Sequence, residues 1–104
     1  MFHAALPLRV ALAAGYNPDF QSYSHGQGRP PDREVVVDTL RGARAECIAY
    51  RDVHQLGGGH WAGGQVYDAS GNQVAKVSYN ARVWTPEGWP HAREITTDVD
   101  GLPI

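Results

Sequence analysis

Hydrophobic and polar positions alternate most regularly between His60 and Trp84, in the stretch HWAGGQVYDASGNQVAKVSYNARVW. Val66 and Tyr67 lead into Asp68-Ala69-Ser70-Gly71-Asn72, and alternation resumes at Val74. Two short apolar runs joined by a glycine- and asparagine-containing loop predict a β-hairpin, because those residues accept the dihedrals of a tight turn. A single strand from Val74 to Trp84 would far exceed the usual ~5–6 residues. Asn80-Ala81 supplies a second turn, since asparagine enters the left-handed region more readily than most residues. With that turn, which we prefer, the pattern predicts a three-stranded meander over about 61–68, 73–79 and 82–85. Without it the outer strand is long and bent.

Upstream the pattern changes. Leu8, Val10 and Leu12 alternate as in a strand, while Ala11, Ala13 and Ala14 suit a helix equally well, and Asn17-Pro18 breaks either one. Residues 20–25 read as a short strand, followed by a Gly/Pro loop over 26–31. The β-branched run Glu34-Val35-Val36-Val37 predicts another strand. Asp38 or Thr39 then offers a side-chain acceptor to start a helix, and Gly57 stands where a left-handed cap would end it. Between them the chain contains Ala43, Ala45 and Ala49 and no proline. Leu40, Ala43, Cys47, Tyr50 and His54 fall within an ~80° arc of such a helix. Gly42 inside it costs about 1 kcal/mol relative to alanine. Residues 85–90 contain two prolines and a glycine and must be irregular, whereas Ile95, Thr97 and Val99 alternate as in a last edge strand.

These elements predict an α+β fold in a single domain, residues 1–104. One main helix, about 39–56, packs on a mainly antiparallel sheet that includes a C-terminal β-meander over about 61–85. Residues 1–18 and 86–104 form loose or edge elements. The helix face of Leu40, Ala43, Cys47 and Tyr50 should meet Val66, Ala75, Val77 and Val36.

Composition narrows the classes of function. Nine basic residues against eleven acidic ones give a net charge of −2, spread evenly and without a basic arm. Strong nonspecific nucleic-acid binding, which needs clustered positive charge, is therefore disfavoured. Cys47 is the sole cysteine, so no intramolecular disulfide and no cysteine-rich zinc site can form. The first residues, MFHAALPLRVALAAG, look like a signal peptide, but Pro7 and Arg9 interrupt the apolar run and no basic segment precedes it. No stretch approaches the ~20 apolar residues of a membrane span. The expectation is a small cytoplasmic domain without a membrane partner.

Candidate chemistry is sparse. Cys47 and His54 share a helix face, yet seven residues separate them by roughly 10.5 Å along the axis, against the ~3 Å that a nucleophile and its base require. An enzyme built on Cys47 would need a distant histidine such as His25, His60 or His91. The five histidines lack HxxxH, HxH or HExxH spacing, so neither a metal nor a cofactor is expected. Gly57-Gly58-Gly59 follows a helix where a phosphate loop would precede one, and Gly63-Gly64 reads as a bulge or a close backbone approach. Asp68, Glu87, Asp98 and Asp100 are scattered over turns and tail and define no acid–base pair.

What remains is a concentration of aromatic and basic side chains. Trp61, Gln65 and Tyr67 should share one face of the first meander strand, with Lys76 outward on the second. On the long-strand reading, Trp61, Tyr67, Lys76, Arg82 and Trp84 form one platform that could bind a protein or stack bases. On the turn reading, Tyr79, Arg82 and Trp84 turn towards the helix as core, and the platform shrinks to Trp61, Tyr67 and Lys76. The leading expectation is a non-catalytic interaction or accessory protein that binds a protein partner or itself, as a homodimer through a sheet edge or the aromatic surface. The alternatives are a weak single-stranded nucleic-acid binder using the five platform residues, and a small enzyme using Cys47. The segment WxGGxVYD…VAKVSYNARVW resembles small bacterial or phage-borne proteins with a helix packed on a sheet, a resemblance that implies no site residues.

Overall fold

The computed structural model describes residues 3–15 and 30–104. The described residues form five strands and one helix, in the order β1 (Leu8–Leu12), β2 (Arg33–Val37), α1 (Leu40–Val53), β3 (Gln65–Tyr67), β4 (Gln73–Val77) and β5 (Val83–Trp84). A single 3-10 turn, Gly58–His60, stands between α1 and β3. All pairings are antiparallel, and the sheet runs β2-β1-β3-β4-β5. The expected α+β architecture is what the chain adopts. The sequence expectations for Asn17-Pro18, residues 20–25 and most of the 26–31 loop lie outside the described residues.

The ambiguous N-terminal segment is a strand because it is the centre of the sheet. β1 is paired on both sides, and its alternation places Leu8, Val10, Leu12 and, beyond it, Ala14 in the core. α1 lies over that side with Leu40, Ala43, Cys47 and Tyr50 buried, against Val66, Ala75, Val77 and Val83. Val36 does not join them. It is 64% exposed, because Val35 and Val37 take the core-facing positions of β2 and period two sends Val36 to the other side.

The helix starts where expected and stops early. Thr39 caps it, its Oγ1 accepting from the Gly42 amide at 3.0 Å. At the other end Gln55, at φ 53°, adopts the left-handed conformation expected of Gly57. The amides of Gln55 and Leu56 donate back to the Asp52 and Arg51 carbonyls at 3.2 and 2.9 Å, and buried Leu56 anchors this reversal. The helix therefore ends at Val53, not near residue 56.

One five-residue turn occurs three times, at residues 68–72, 78–82 and 98–102. In each the first amide donates to the fifth carbonyl (2.9, 2.9 and 2.8 Å), and the fourth amide donates to the first carbonyl (3.0, 2.9 and 3.0 Å). The fourth residue has positive φ: Gly71 at 88°, Ala81 at 65° and Gly101 at 81°. The middle turn confirms the chain reversal after β4, but Ala81, not Asn80, is the left-handed residue. Beyond β5, residues 93–104 make bridges in place of the expected edge strand: Trp84 with Glu94 and Thr97 with Pro103.

Asp98, fully buried, opens the last turn and ties it to the helix. Its carboxylate accepts from the Leu40 and Arg41 amides at 2.7 and 2.9 Å and from the Val99 amide at 2.8 Å. The Arg41 guanidinium lies 3.2 Å away and also binds Asp100 and the Pro103 carbonyl, holding the Asp100 carboxyl below its usual range. A buried carboxylate at a helix N-terminus satisfies free amides and opposes the helix dipole.

Two outcomes follow. Asp98→Ala strands the Leu40 and Arg41 amides, although the Arg41 guanidinium keeps Asp100 and the Pro103 carbonyl, and should cost about 3 kcal/mol in urea denaturation. Ala81→Gly relieves a left-handed alanine and should raise stability by about 0.5–1 kcal/mol in the same measurement.

Candidate functional site

The core lies on the helix side of the sheet, so the other face is where binding residues can collect. β1 sends Arg9 there, opposite Tyr67 of β3. The Arg9 guanidinium carbon lies 5.9 Å from the Tyr67 ring centroid, and its Nη1 pairs with Glu34 at 2.8 Å. Lys76 of β4 faces Gln65 on one side and Trp84 on the other. Tyr67, Lys76 and Trp84 thus share the open face, partly exposed.

Trp84 arrives there against expectation. The turn forms, but its geometry brings Val83, not Trp84, opposite Val77 and into the core. Trp84 is paired with Lys76 and donates from Nε1 to Ser78 Oγ at 3.2 Å. Tyr79 stays at the turn, where the Arg51 guanidinium covers its ring at 5.5 Å. Arg82 is exposed beside the same turn and lines a hollow with Arg44, Glu94 and Ile104, away from Lys76.

Trp61 leaves the platform altogether. It bridges Ala14, a core residue, and so points to the helix side. There its Nε1 donates to the Val77 carbonyl at 3.0 Å and its ring meets Tyr50 edge-on at 6.4 Å. The cause is a register slip. Arg9 opposes Tyr67 and Val10 opposes Val66, but beyond Gly64 the Gly64, Ala62 and Gly15 amides bond to Ala11, Ala13 and His60, one residue out of step. A one-residue slip reverses every side chain beyond it.

Trp89, on the loop after β5, is a further candidate. It is 90% exposed on the 85–93 loop, which is pinned at its base by the Thr85 amide to the Arg93 carbonyl and the Arg93 amide to Thr85 Oγ1, both 2.9 Å. Lys76 Nζ donates to the Glu87 carbonyl at 2.8 Å, which fastens the loop to the open face. The Thr85 hydroxyl holds the Glu87 carboxyl below its usual range. The sequence signal for Trp89 is its place between Gly88 and Pro90, where no regular element can carry a side chain into the core.

Cys47 has the opposite character. It is 3% exposed, lies beside Trp61, Tyr79 and Ala81, and burial, reinforced by Glu46, pushes its thiol up to about 12. A nucleophilic cysteine needs a depressed pKa and access. His54 is turned to Tyr50, ring centroids 4.6 Å apart, and His60 Nδ1 accepts from the Gly57 amide at 3.3 Å. Among the described residues no three His, Cys, Asp or Glu side chains gather as metal ligands, and no helix is long and apolar enough to cross a membrane. No family model matches the chain, and neither a curated protein nor a solved structure matches it.

The raised thiol pKa has a defined sign. The fold holds the proton more tightly than the unfolded chain, so this stabilisation is complete below pH 9.0 and is lost as pH rises towards about 12. Compared with Cys47→Ala, the wild-type chain should lose stability more steeply across that window, by a slope approaching about 1.4 kcal/mol per pH unit. Urea titrations of both proteins at stepped pH measure the difference.

Proposed function

We propose that this chain is a non-catalytic interaction module that binds a partner protein through the open face of its sheet. The observation that carries the reading is Trp89, exposed over nine-tenths of its surface on a loop fastened to the face that bears Tyr67, Lys76 and Trp84. A large aromatic left in water, on a loop bound by the lysine of an aromatic-bearing face, has the composition of an interface anchor. The matching partner surface is apolar with a carboxylate at its rim to meet Lys76.

Single-stranded nucleic acid is the less favoured occupant. Of the two cations placed on the face, Arg9 is engaged by Glu34 and Lys76 by the Glu87 carbonyl, while Arg82 lies elsewhere. An unpaired cationic track, which phosphate binding needs, is missing among the described residues of this face. A cysteine enzyme is disfavoured by the burial of Cys47.

The test pairs capture with reconstitution. A partner enriched on the wild-type chain, then purified, should bind Trp89→Ala at least tenfold more weakly, with the melting temperature of the variant unchanged. Equal affinity for the two forms would sink the open-face reading. Anisotropy of a labelled oligothymidine should stay flat at low salt, and a salt-dependent rise would move the assignment to nucleic acid.

A further inference from the structure

The two edges of the sheet are finished differently. Beyond β5 the chain folds back on itself: Trp84 bridges Glu94, the Ile95 amide donates to the Val83 carbonyl and the Thr85 amide to that of Arg93. That edge is occupied. β2 pairs with β1 from Leu8↔Val37 to Leu12↔Arg33, and its outer edge pairs with no strand among the described residues. Such an edge presents a row of free amides and carbonyls, which proteins normally blunt with proline, lysine, a bulge or brevity. β2 carries no proline, lysine or bulge: it is five residues, Arg33-Glu34-Val35-Val36-Val37, in unbroken register, with its two charges confined to Arg33 and Glu34 and three valines following.

Apolar groups border this edge on both sides. Val36 stands on the open face at 64% exposure, and Val53 is 75% exposed on the helix flank. Val53 and Ala49 line a hollow of about 100 Å³ with Leu12 and Arg33, at the beginning of β2. We propose that β2 pairs antiparallel with β2 of a second copy of this chain, joining two five-stranded sheets across a twofold axis.

A register centred on Val35 sets Glu34 opposite Val36 of the partner subunit and Arg33 opposite Val37 of the partner subunit. No like charges meet, whereas a register centred on Glu34 would oppose two carboxylates. Because the β5 edge is occupied, pairing through β2 closes at two chains instead of extending into a fibre. The interface is short and belongs to the small class, so the dimer is concentration-dependent. It leaves Tyr67, Lys76, Trp84 and Trp89 uncovered and is independent of the open-face proposal.

Sedimentation velocity of the full chain from micromolar to submillimolar concentration should show the mass rising from 11.3 kDa towards twice that value. Val36→Glu meets Glu34 of the partner subunit in this register and should weaken dimerisation at least tenfold. Val36→Lys meets the same carboxylate and should preserve or tighten it. In the wild-type chain, amide exchange at residues 34–37 should slow as concentration rises, a readout that needs no variant. A chain that stays monomeric throughout, with the β2 edge taken by some other protein's strand or by nothing, overturns the proposal. So does a dimer that ignores both Val36 substitutions, since β2 would then not be its seam.

Discussion

Gly64 is wedged between two strands, and the division of the sheet into a core face and an open face depends on that contact. Its amide donates to the Ala11 carbonyl at 2.7 Å and its carbonyl accepts from the Val77 amide at 2.8 Å, joining β1 and β4 through one residue. A Cβ here would lie 2.0 Å from the Val77 carbonyl oxygen, and φ is 98°. Gly63 is equally confined, its notional Cβ 2.6 Å from the Ala13 amide nitrogen. Only glycine permits this approach, and the approach accompanies the slip that sends Trp61 to the helix side while Tyr67 keeps the open-face position of the regular register. The segregation of aromatics between core and surface is therefore set by backbone contact as much as by hydropathy.

Much of the fold was legible because its signals are local. Thr39 caps the helix with a hydroxyl three residues from the amide that it binds, and the Asp68 turn carries its own acceptor, Oδ1 taking the Ser70 and Asn72 amides at 2.9 and 3.0 Å. Alternation along Val74 to Val77 and the β-branched run before α1 marked their strands. What failed was decided by distant groups. Whether residues 8–12 form strand or helix depends on partners on both sides, and the face of Trp61 depends on an oxygen of Val77. Gln55 accepts a left-handed φ because Leu56 beside it is buried, a packing fact absent from the local pattern.

The site was legible in part for the same reason. Tyr67 and Lys76 follow the simple period of their strands and lie where alternation put them. Trp84 follows a turn whose left-handed residue is one position later than expected, so its face came out opposite to the turn reading. Trp89 stands in a Gly/Pro loop and carries no periodicity, so alternation gives no signal for it. Asp98 looked like one of two acids in a tail, although it is the sole described acidic side chain with no exposed surface.

The distance in sequence between Asp98 and the helix that it caps has a consequence for the order of events during synthesis. The Leu40 amide waits 58 residues for its acceptor. At ~5–20 residues per second, α1 leaves the ribosome several seconds before the carboxylate that completes its first turn. During that interval Thr39 holds the Gly42 amide, while the Leu40 and Arg41 amides lack the acceptor that they have in the finished fold. Final consolidation is thereby coupled to the arrival of the last turn, so that a nascent chain interrupted before residue 98 holds all five strands yet lacks the lock on its helix.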